Sequence, residues 1–286
     1  MRSHSPGKIC DSLWLLGHPE SCVYLVEGCN QSMIISGGMN YIAPAVLRQI
    51  KELGLEERKI GSILILHAHF DHIGIIPFFK ERFPNIVVYG SERASQILSE
   101  PRSVLTINDF STKVASRMGM EAEVSKSNYD WYVGLTVSIV SDGDVIDLGD
   151  MEVKILKTPG HSSCSISAYV PGIKEHFPSD GGGIPWKDTI VPAPNSNFHQ
   201  YLESLKRLNT LDTDYICADH CGYVYGEEAH SYLDRSIDVT RSEYSRLRKV
   251  YRESGDVDRA AKEVASAFLA ENPDYLLTPE IYEGVC

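Results

Sequence analysis

Residues 63–66, Ile-Leu-Ile-Leu, lead without a break into the segment His-Ala-His-Phe-Asp-His. A short, β-branched apolar run is typical of a strand that is buried on both faces, and we predict this strand over residues 60–66. Because side chains two positions apart in an extended segment share a side, the first two histidines can point the same way. Imidazole and carboxylate groups together suit zinc, iron or manganese. The segment therefore predicts a metal site that uses His67, His69, Asp71 and His72.

Three further ligand-type residues lie just past other predicted strands, at residues 153–156, 165–170 and 215–218. In the same order, they are His161, Asp180 and His220. Loops at one rim of a layered sheet commonly carry functional residues, so we expect these three to approach the first motif. A lone histidine is usually an ordinary core or surface residue. Four ligand-type residues within six positions, at the end of a buried strand, make coincidence the weaker explanation.

The rest of the chain alternates short strands with helices. Further strands are predicted at residues 13–17, 23–27, 32–36, 86–89, 136–140 and 145–148. Helices are predicted at residues 41–53, 91–98, 198–208, 227–253 and 256–271. Residues 101–130 are polar and lack a clean apolar stripe, which indicates a helical insertion.

Charge and composition narrow the class of protein. The 286 residues carry a formal net charge of −12, which argues against a nucleic-acid-binding protein because phosphate neutralisation needs clustered Lys and Arg. No apolar stretch is long enough for a signal peptide or a membrane span, so we expect a cytoplasmic protein without a membrane partner. The seven cysteines have no regular spacing, as expected of free thiols. Cys221 is interpreted as a residue that supports the neighbouring candidate ligand.

The order of the candidate ligands along the chain resembles that of the metallo-β-lactamase fold superfamily. The order is His-x-His-x-Asp-His, then Gly-His, then an aspartate and a final histidine. The similarity is greatest to the superfamily's glyoxalase II-like hydrolases and covers about residues 10–222. It implies an α/β fold, a four-layer αββα sandwich with a C-terminal helical extension. Residues 1–222 would form the catalytic domain, and residues 223–286 would cover the site or mediate dimerisation.

The resemblance also implies a role for each candidate ligand. The implied ligands are His67, His69 and His161 for one metal, Asp71, His72 and His220 for a second, and Asp180 as the bridge. The family often has Gly-Asp at the bridge, where this chain has Ser179-Asp180. A complete set favours two divalent ions, zinc or iron with manganese as a third option, about 3.5–4 Å apart and bridged by a nucleophilic hydroxide. Asp71 could also pass a proton to the leaving group.

These features predict a metal-dependent hydrolase of a small-molecule ester or thioester, and first of all an acyl-CoA-type thioesterase. The helical layout around the last ligand loop looks like that of the quinolone-signal response thioesterases. Three alternatives stay open: a persulfide dioxygenase with a single iron, a lactonase, and a regulatory protein that retains a metal site. Ligands for a second metal argue against the dioxygenase.

Three aromatic residues, Phe70, Trp186 and Phe198, are candidates for a substrate-pocket wall, although aromatic residues more often pack in cores. Residues 241–252 carry five basic side chains: Arg241, Arg246, Arg248, Lys249 and Arg252. They could hold the phosphates of a CoA-like leaving group or form a solvated face. The same tail has an apolar stripe that we interpret as exposed: Tyr232, Leu233, Ile237, Tyr244, Leu247, Val250 and Tyr251. It would serve a partner protein, a homodimer, or docking of the tail onto the core.

Overall fold

The computed structural model describes residues 1–127 and 130–275. The strands are β1 (Arg2–Ser3), β2 (Gly7–Cys10), β3 (Leu13–His18), β4 (Ser21–Glu27), β5 (Ser32–Ile35), β6 (Ile60–Leu64), β7 (Val87–Gly90), β8 (Ser138–Ile139), β9 (Val145–Asp147), β10 (Glu152–Lys157), β11 (Ile166–Val170), β12 (Glu175–Phe177), β13 (Ile184–Trp186), β14 (Thr189–Val191), β15 (Tyr215–Cys217) and β16 (Tyr223–Tyr225).

The helices are α1 (Ala43–Glu52), α2 (Ile76–Arg82), α3 (Glu92–Ser99), α4 (Pro101–Arg117), α5 (Glu121–Ser127), α6 (Phe198–Leu208), α7 (Glu227–Ser254) and α8 (Val257–Glu271). Polar side chains define several of their starts. Ser91, Asn197 and Asp256 accept hydrogen bonds from the first-turn amides of α3, α6 and α8. Such caps satisfy amides that have no partner within the helix.

Two seven-stranded sheets form the centre of the molecule. One has the order β2-β3-β4-β5-β6-β7-β8 and becomes parallel from β5 onward. The other has the order β1-β16-β15-β12-β11-β10-β9 and contains one parallel pair, β12 with β15. Strands β13 and β14 form a separate hairpin.

Alternation along β4 explains how the layers pack. Tyr24 and Val26 lie in the apolar core between the two sheets, whereas Val23 and Leu25 pack on the opposite face against helices. A strand covered on both faces needs apolar residues at successive positions, as this one has. Helices α1 to α4 cover the outer face of the first sheet, and α6 and α7 cover that of the second. The predicted αββα fold is confirmed.

The structure corrects one prediction about the helical tail. Helices α7 and α8 confirm the two helices predicted at residues 227–253 and 256–271. The apolar stripe on α7 is not exposed as predicted, because Tyr232, Leu233 and Ile237 are at most 7% exposed and pack against α6, β15 and β16. The first part of the tail is therefore docked on the core.

Residues 101–127 form α4 and α5, as expected for a helical insertion, whereas residues 128–129 lie outside the described residues. Strand β16 starts at Tyr223 and pairs with β15, so the second sheet continues past residue 222. The proposed division at that residue stays a prediction, and residues 276–286 with Cys286 also lie outside the described part. Over residues 1–127 and 130–275, none of the helices combines the length and apolar character needed to cross a membrane.

Candidate metal centre

The candidate ligands come from both sheets. Residues 67–72 follow β6 of the first sheet, whereas the loops with the other three ligands follow β10, β12 and β15 of the second. Asp180 does not directly follow the predicted strand at 165–170, because the short strand β12 intervenes. That strand was missed since Glu-His-Phe, with two ionisable residues in three, lacks the pattern of a buried strand. The ligands meet at one rim of the two sheets.

The first group brings together His67, His69 and His161. One ligand-type nitrogen from each lies within 4.8 Å of the others. The Nδ1 atom of His69 and the Nε2 atom of His161 are 3.1 Å apart, close to the roughly 3.3 Å expected between two nitrogen ligands of one tetrahedral zinc. The three rings are thus arranged around one point.

The second group brings together Asp71, His72 and His220. The Nε2 atoms of His72 and His220 lie 3.5 and 3.6 Å from Oδ2 of Asp71. Asp180 lies between the two groups, with Oδ2 at 3.3 Å from His72 Nε2 and 3.4 Å from His161 Nε2. Its Oδ1 is 3.7 Å from His220 Nε2. The structure therefore gathers all seven candidate ligands into two adjoining sets with one carboxylate between them.

Hydrogen bonds on the side away from the site orient the imidazoles of His161 and His220. His161 donates from Nδ1 to the Ala193 carbonyl at 2.8 Å, and His220 donates from Nδ1 to the Glu20 carbonyl at 2.7 Å. A histidine that donates from Nδ1 keeps its lone pair on Nε2, which is the arrangement of a metal-ligating imidazole.

Two buried ring atoms supply the test of whether a cation fits. Within the described chain, Nε2 of His67 and Nε2 of His72 are fully buried and have no hydrogen-bond partner. Buried polar atoms without partners are rare and costly in folded proteins. Both atoms face the carboxylates and imidazoles of the site, and this nitrogen and oxygen donor set suits a divalent metal.

The electrostatics point the same way. Burial lowers the pKa of three imidazoles, to about 4 for His69 and below the ordinary value for His67 and His161. Burial opposes charge on His72 too, but the carboxylates of Asp71 and Asp180 outweigh it and raise its pKa well above the ordinary value. Although burial also disfavours ionised carboxyls, the histidines hold the pKa of both aspartates below the usual range. Three neutral imidazoles beside two ionised carboxylates form a site that accepts positive charge.

The three predicted wall residues lie in different surroundings. Phe70 stacks on Phe110 of α4, with ring centroids 5.5 Å apart. Phe198 stacks on Tyr244 of α7 at 4.0 Å, next to the loop that holds His161. Trp186 is instead 9% exposed and packs under the C-terminal region, where its Nε1 donates to Asn272.

Sequence reasoning missed two polar residues behind the ligands. Asp219 accepts a hydrogen bond from His72 Nδ1 at 2.8 Å, and Ser179 contacts His67 Nδ1 at 3.1 Å. The available signal was adjacency, since each directly precedes a candidate ligand in the chain. Cys221, on the other side of His220, packs instead beside the cluster that contains Trp186.

Comparison of the sequence with known proteins identifies a family and several relatives. The family model for the metallo-beta-lactamase superfamily matches residues 19–220. The acyl-coenzyme A thioesterase MBLAC2 of Gallus gallus is 27% identical over 196 residues, which are 66% of each chain. The hydroxyacylglutathione hydrolase of Buchnera aphidicola is 28% identical over 152 residues, 53% of this chain and 44% of the relative. The chain thus spans about two thirds of the first relative and less than half of the second.

A solved structure has a similar fold. The structure of ST1585, a metallo-beta-lactamase superfamily protein from Sulfolobus tokodaii, superposes with a TM-score of 0.61. It shares 20% sequence identity, and the match covers 80% of this chain and 86% of that protein. At this identity the likeness concerns the fold.

Proposed function

We propose, because this chain belongs to the metallo-beta-lactamase superfamily, that it is a metal-dependent hydrolase of a small-molecule ester or thioester. The observation that carries the proposal is the convergence of seven ligand-type residues on one rim, with Asp180 between the two sets. His67, His69 and His161 would hold one divalent cation, and Asp71, His72 and His220 a second. Zinc, iron and manganese all match this donor set.

A bound cation and the protein side chains would perform different parts of the reaction. When bound, a divalent cation polarises a carbonyl oxygen and acidifies water, and hydrolysis of an ester or thioester needs both effects. The chain positions four of the five imidazoles through their Nδ1 hydrogen bonds and excludes bulk water by burial. Of the two site carboxylates, that of Asp71 is the more accessible: its side chain is 21% exposed, against 8% for Asp180. We assign to Asp71 the transfer of a proton between attacking water and leaving group.

The proposed substrate is an acyl-CoA-type thioester. Its support includes the similarity to a protein named acyl-coenzyme A thioesterase and the presence of basic side chains on α7. Arg241 and Arg246 are paired with acidic neighbours on the same helix. The remaining three, Arg248, Lys249 and Arg252, line an open surface cavity along one face of α7 together with Ser245 and Glu253. Three basic side chains beside the single carboxylate of Glu253 leave this face positive on a chain of net charge −12, which suits an anionic leaving group.

A continuous set of contacts connects this cavity with the metal-ligand loop. The guanidinium of Arg248 lies 5.6 Å from the ring centroid of Tyr244, and that ring stacks on Phe198. Phe198 begins α6, and the preceding amide of Asn197 donates to the Gly160 carbonyl beside His161. A substrate with its carbonyl at the metal ligands would thus meet aromatic rings first and positive charge further out.

Charge reversal of Arg248, Lys249 and Arg252 to glutamate should raise KM for an acyl-CoA at least tenfold and leave kcat nearly unchanged. Each lost charge-assisted contact is worth roughly 1.5–3 kcal/mol of binding, made equally in ground and transition state. The matched substrate is the same acyl group on N-acetylcysteamine, which has no phosphates and should show no change. Reversal of three other exposed basic residues, Arg48 and Lys51 on α1 and Arg93 on α3, is the control for net charge. An equal KM rise for both thioesters would contradict the assignment.

The function itself is tested by metal content and turnover. Protein purified without added metal should contain divalent metal and cleave members of a panel of acyl-CoA thioesters and lactones. His69→Ala should abolish the metal-dependent turnover while circular dichroism shows an intact fold. Activity that persists in His69→Ala would contradict the hydrolase mechanism. A single iron with oxygen consumption on a persulfide would indicate a dioxygenase, lactone turnover alone a lactonase, and metal without turnover a regulatory protein.

A further inference from the structure

Ser179 has a backbone conformation that serine rarely adopts. Its φ is 51°, in the left-handed region that favours glycine. The position directly precedes Asp180, and the side chain is buried, 2% exposed. A serine kept in this conformation next to a candidate ligand suggests that its hydroxyl group has a role that glycine could not fill.

The hydroxyl group connects two histidines from the other sheet. Ser179 Oγ lies 3.1 Å from Nδ1 of His67 and donates a hydrogen bond to Oδ2 of Asp219. The same Oδ2 accepts from Nδ1 of His72 at 2.8 Å. All four residues are at most 3% exposed, so bulk water does not compete for these bonds. One carboxylate oxygen thus terminates hydrogen bonds from both sets of candidate ligands.

The direction of these bonds follows from the chemistry of the groups. A carboxylate can only accept, so the single hydrogen of the Ser179 hydroxyl points to Asp219. The serine oxygen is then left to accept from Nδ1–H of His67, as Asp219 accepts from Nδ1–H of His72. Both rings therefore carry hydrogen on Nδ1 and present Nε2 to the site. These two Nε2 atoms are among the buried side-chain atoms that lack a hydrogen-bond partner in the described chain.

We propose that Ser179 and Asp219 are positioning residues that fix the tautomer and orientation of His67 and His72 together. The inference rests on the proposed metal centre. Because His67 belongs to the first set and His72 to the second, the pair of residues connects the two sets through one carboxylate. Loss of the serine hydroxyl releases His67 alone, whereas loss of the Asp219 carboxylate releases both rings.

The test is metal affinity together with stability in the metal-free state. Chelator-treated wild type, Ser179→Gly, Ser179→Ala and Asp219→Ala are titrated with zinc against a chromophoric chelator and with cobalt followed by its visible spectrum. Both serine variants should bind one equivalent roughly 10- to 100-fold more weakly, since partners behind a ligating histidine typically contribute this much. Asp219→Ala should weaken both equivalents.

Stability separates positioning from a structural role. Glycine removes the strained backbone as well as the hydroxyl, so in metal-free Ser179→Gly the relief of strain should offset part of the stability lost with the buried hydrogen bonds. Alanine keeps the strain and should unfold at a lower temperature than the glycine variant. In the zinc-loaded protein, the Nδ1–H signal of His67 in nitrogen–proton NMR spectra should exchange faster in both serine variants. An unchanged exchange rate of that signal in both serine variants would contradict the inference.

The outcomes distinguish this inference from the proposed function. Wild-type metal affinity in both serine variants would overturn the positioning role and leave the metal centre standing. A loss of affinity accompanied by equal destabilisation of the glycine and alanine variants would assign Ser179 a structural role instead. If the wild type itself binds neither zinc nor cobalt, the proposed metal centre fails and this inference fails with it.

Discussion

Asp180→Asn is expected to lower kcat/KM for the cleaved thioester by roughly a thousandfold, which corresponds to about 4 kcal/mol of transition-state stabilisation. Among residues 1–127 and 130–275, Asp180 is the one carboxylate within 3.7 Å of histidines from both ligand sets: His72, His161 and His220. Asparagine has nearly the same shape, so the fold should persist while the charge is lost. A neutral amide balances the positive charge of a divalent cation poorly, and both sets should be affected.

Steady-state kinetics at saturating zinc, iron and manganese would measure this effect, with metal content determined for each sample. Asp188→Asn is the matched control, because Asp188 is exposed and the substitution changes the net charge equally. If Asp180→Asn retains more than a tenth of the wild-type kcat/KM at full metal content, a central role for this carboxylate is wrong. Recovery only at high metal concentration would instead assign Asp180 to metal retention.

The second large expected effect is on stability, and it concerns a residue away from the metal ligands. Glu175 of β12 is fully buried, and one of its carboxyl oxygens has no hydrogen-bond partner in the described chain. Burial raises its pKa to about 8, although the hydrogen bond from the Cys10 thiol at 3.2 Å opposes the shift. The titratable groups that face it are Cys10 on β2 and Tyr215 and Cys217 on β15.

A raised carboxyl pKa makes the folded protein less stable as the pH rises. Between about pH 4.5 and pH 8, the folded state keeps the Glu175 proton that the unfolded state has released. The free energy of unfolding should therefore fall by about 1.4 kcal/mol per pH unit across this window, or about 3–5 kcal/mol in total. Glu175→Gln has no proton to lose and should be more stable than the wild type at pH 8 by a similar amount.

Urea unfolding of wild type and Glu175→Gln between pH 5 and pH 8.5 measures this difference. The comparison of the two proteins removes the contribution of other titrating groups, which both share. Glu152→Gln, at an exposed position of β10, should run parallel to the wild type. Parallel curves for Glu175→Gln as well would show that the Glu175 carboxyl titrates normally.

The local part of the site could be predicted from the sequence because its residues are close along the chain. Four candidate ligands lie within six positions after an apolar run, and the strand period already puts His67 and His69 on one side. Three more could be proposed because each lies in a loop after a predicted strand. The order of these motifs indicated the resemblance to a known family, and that resemblance predicted the αββα fold.

The supporting contacts could not be predicted, since they connect distant parts of the chain. Asp219 and His72 are 147 positions apart, and Ser179 and His67 are 112 positions apart. Periodicity also cannot say which face of a long helix is covered. The stripe on α7 was interpreted as exposed, although Tyr232 is fully buried and donates to the Gly183 carbonyl. Tyr251, about five turns further along, is 48% exposed as expected.

The division of the ligands between two sheets has a kinetic consequence. His67, His69, Asp71 and His72 extend from β6, whereas the remaining three extend from the opposite sheet. Any cation held by both must be released before the sheets can separate, so it acts as a cross-link between the two halves of the core. The lifetime of the folded chain should then depend on cation release, and a chelator should shorten its survival against a protease.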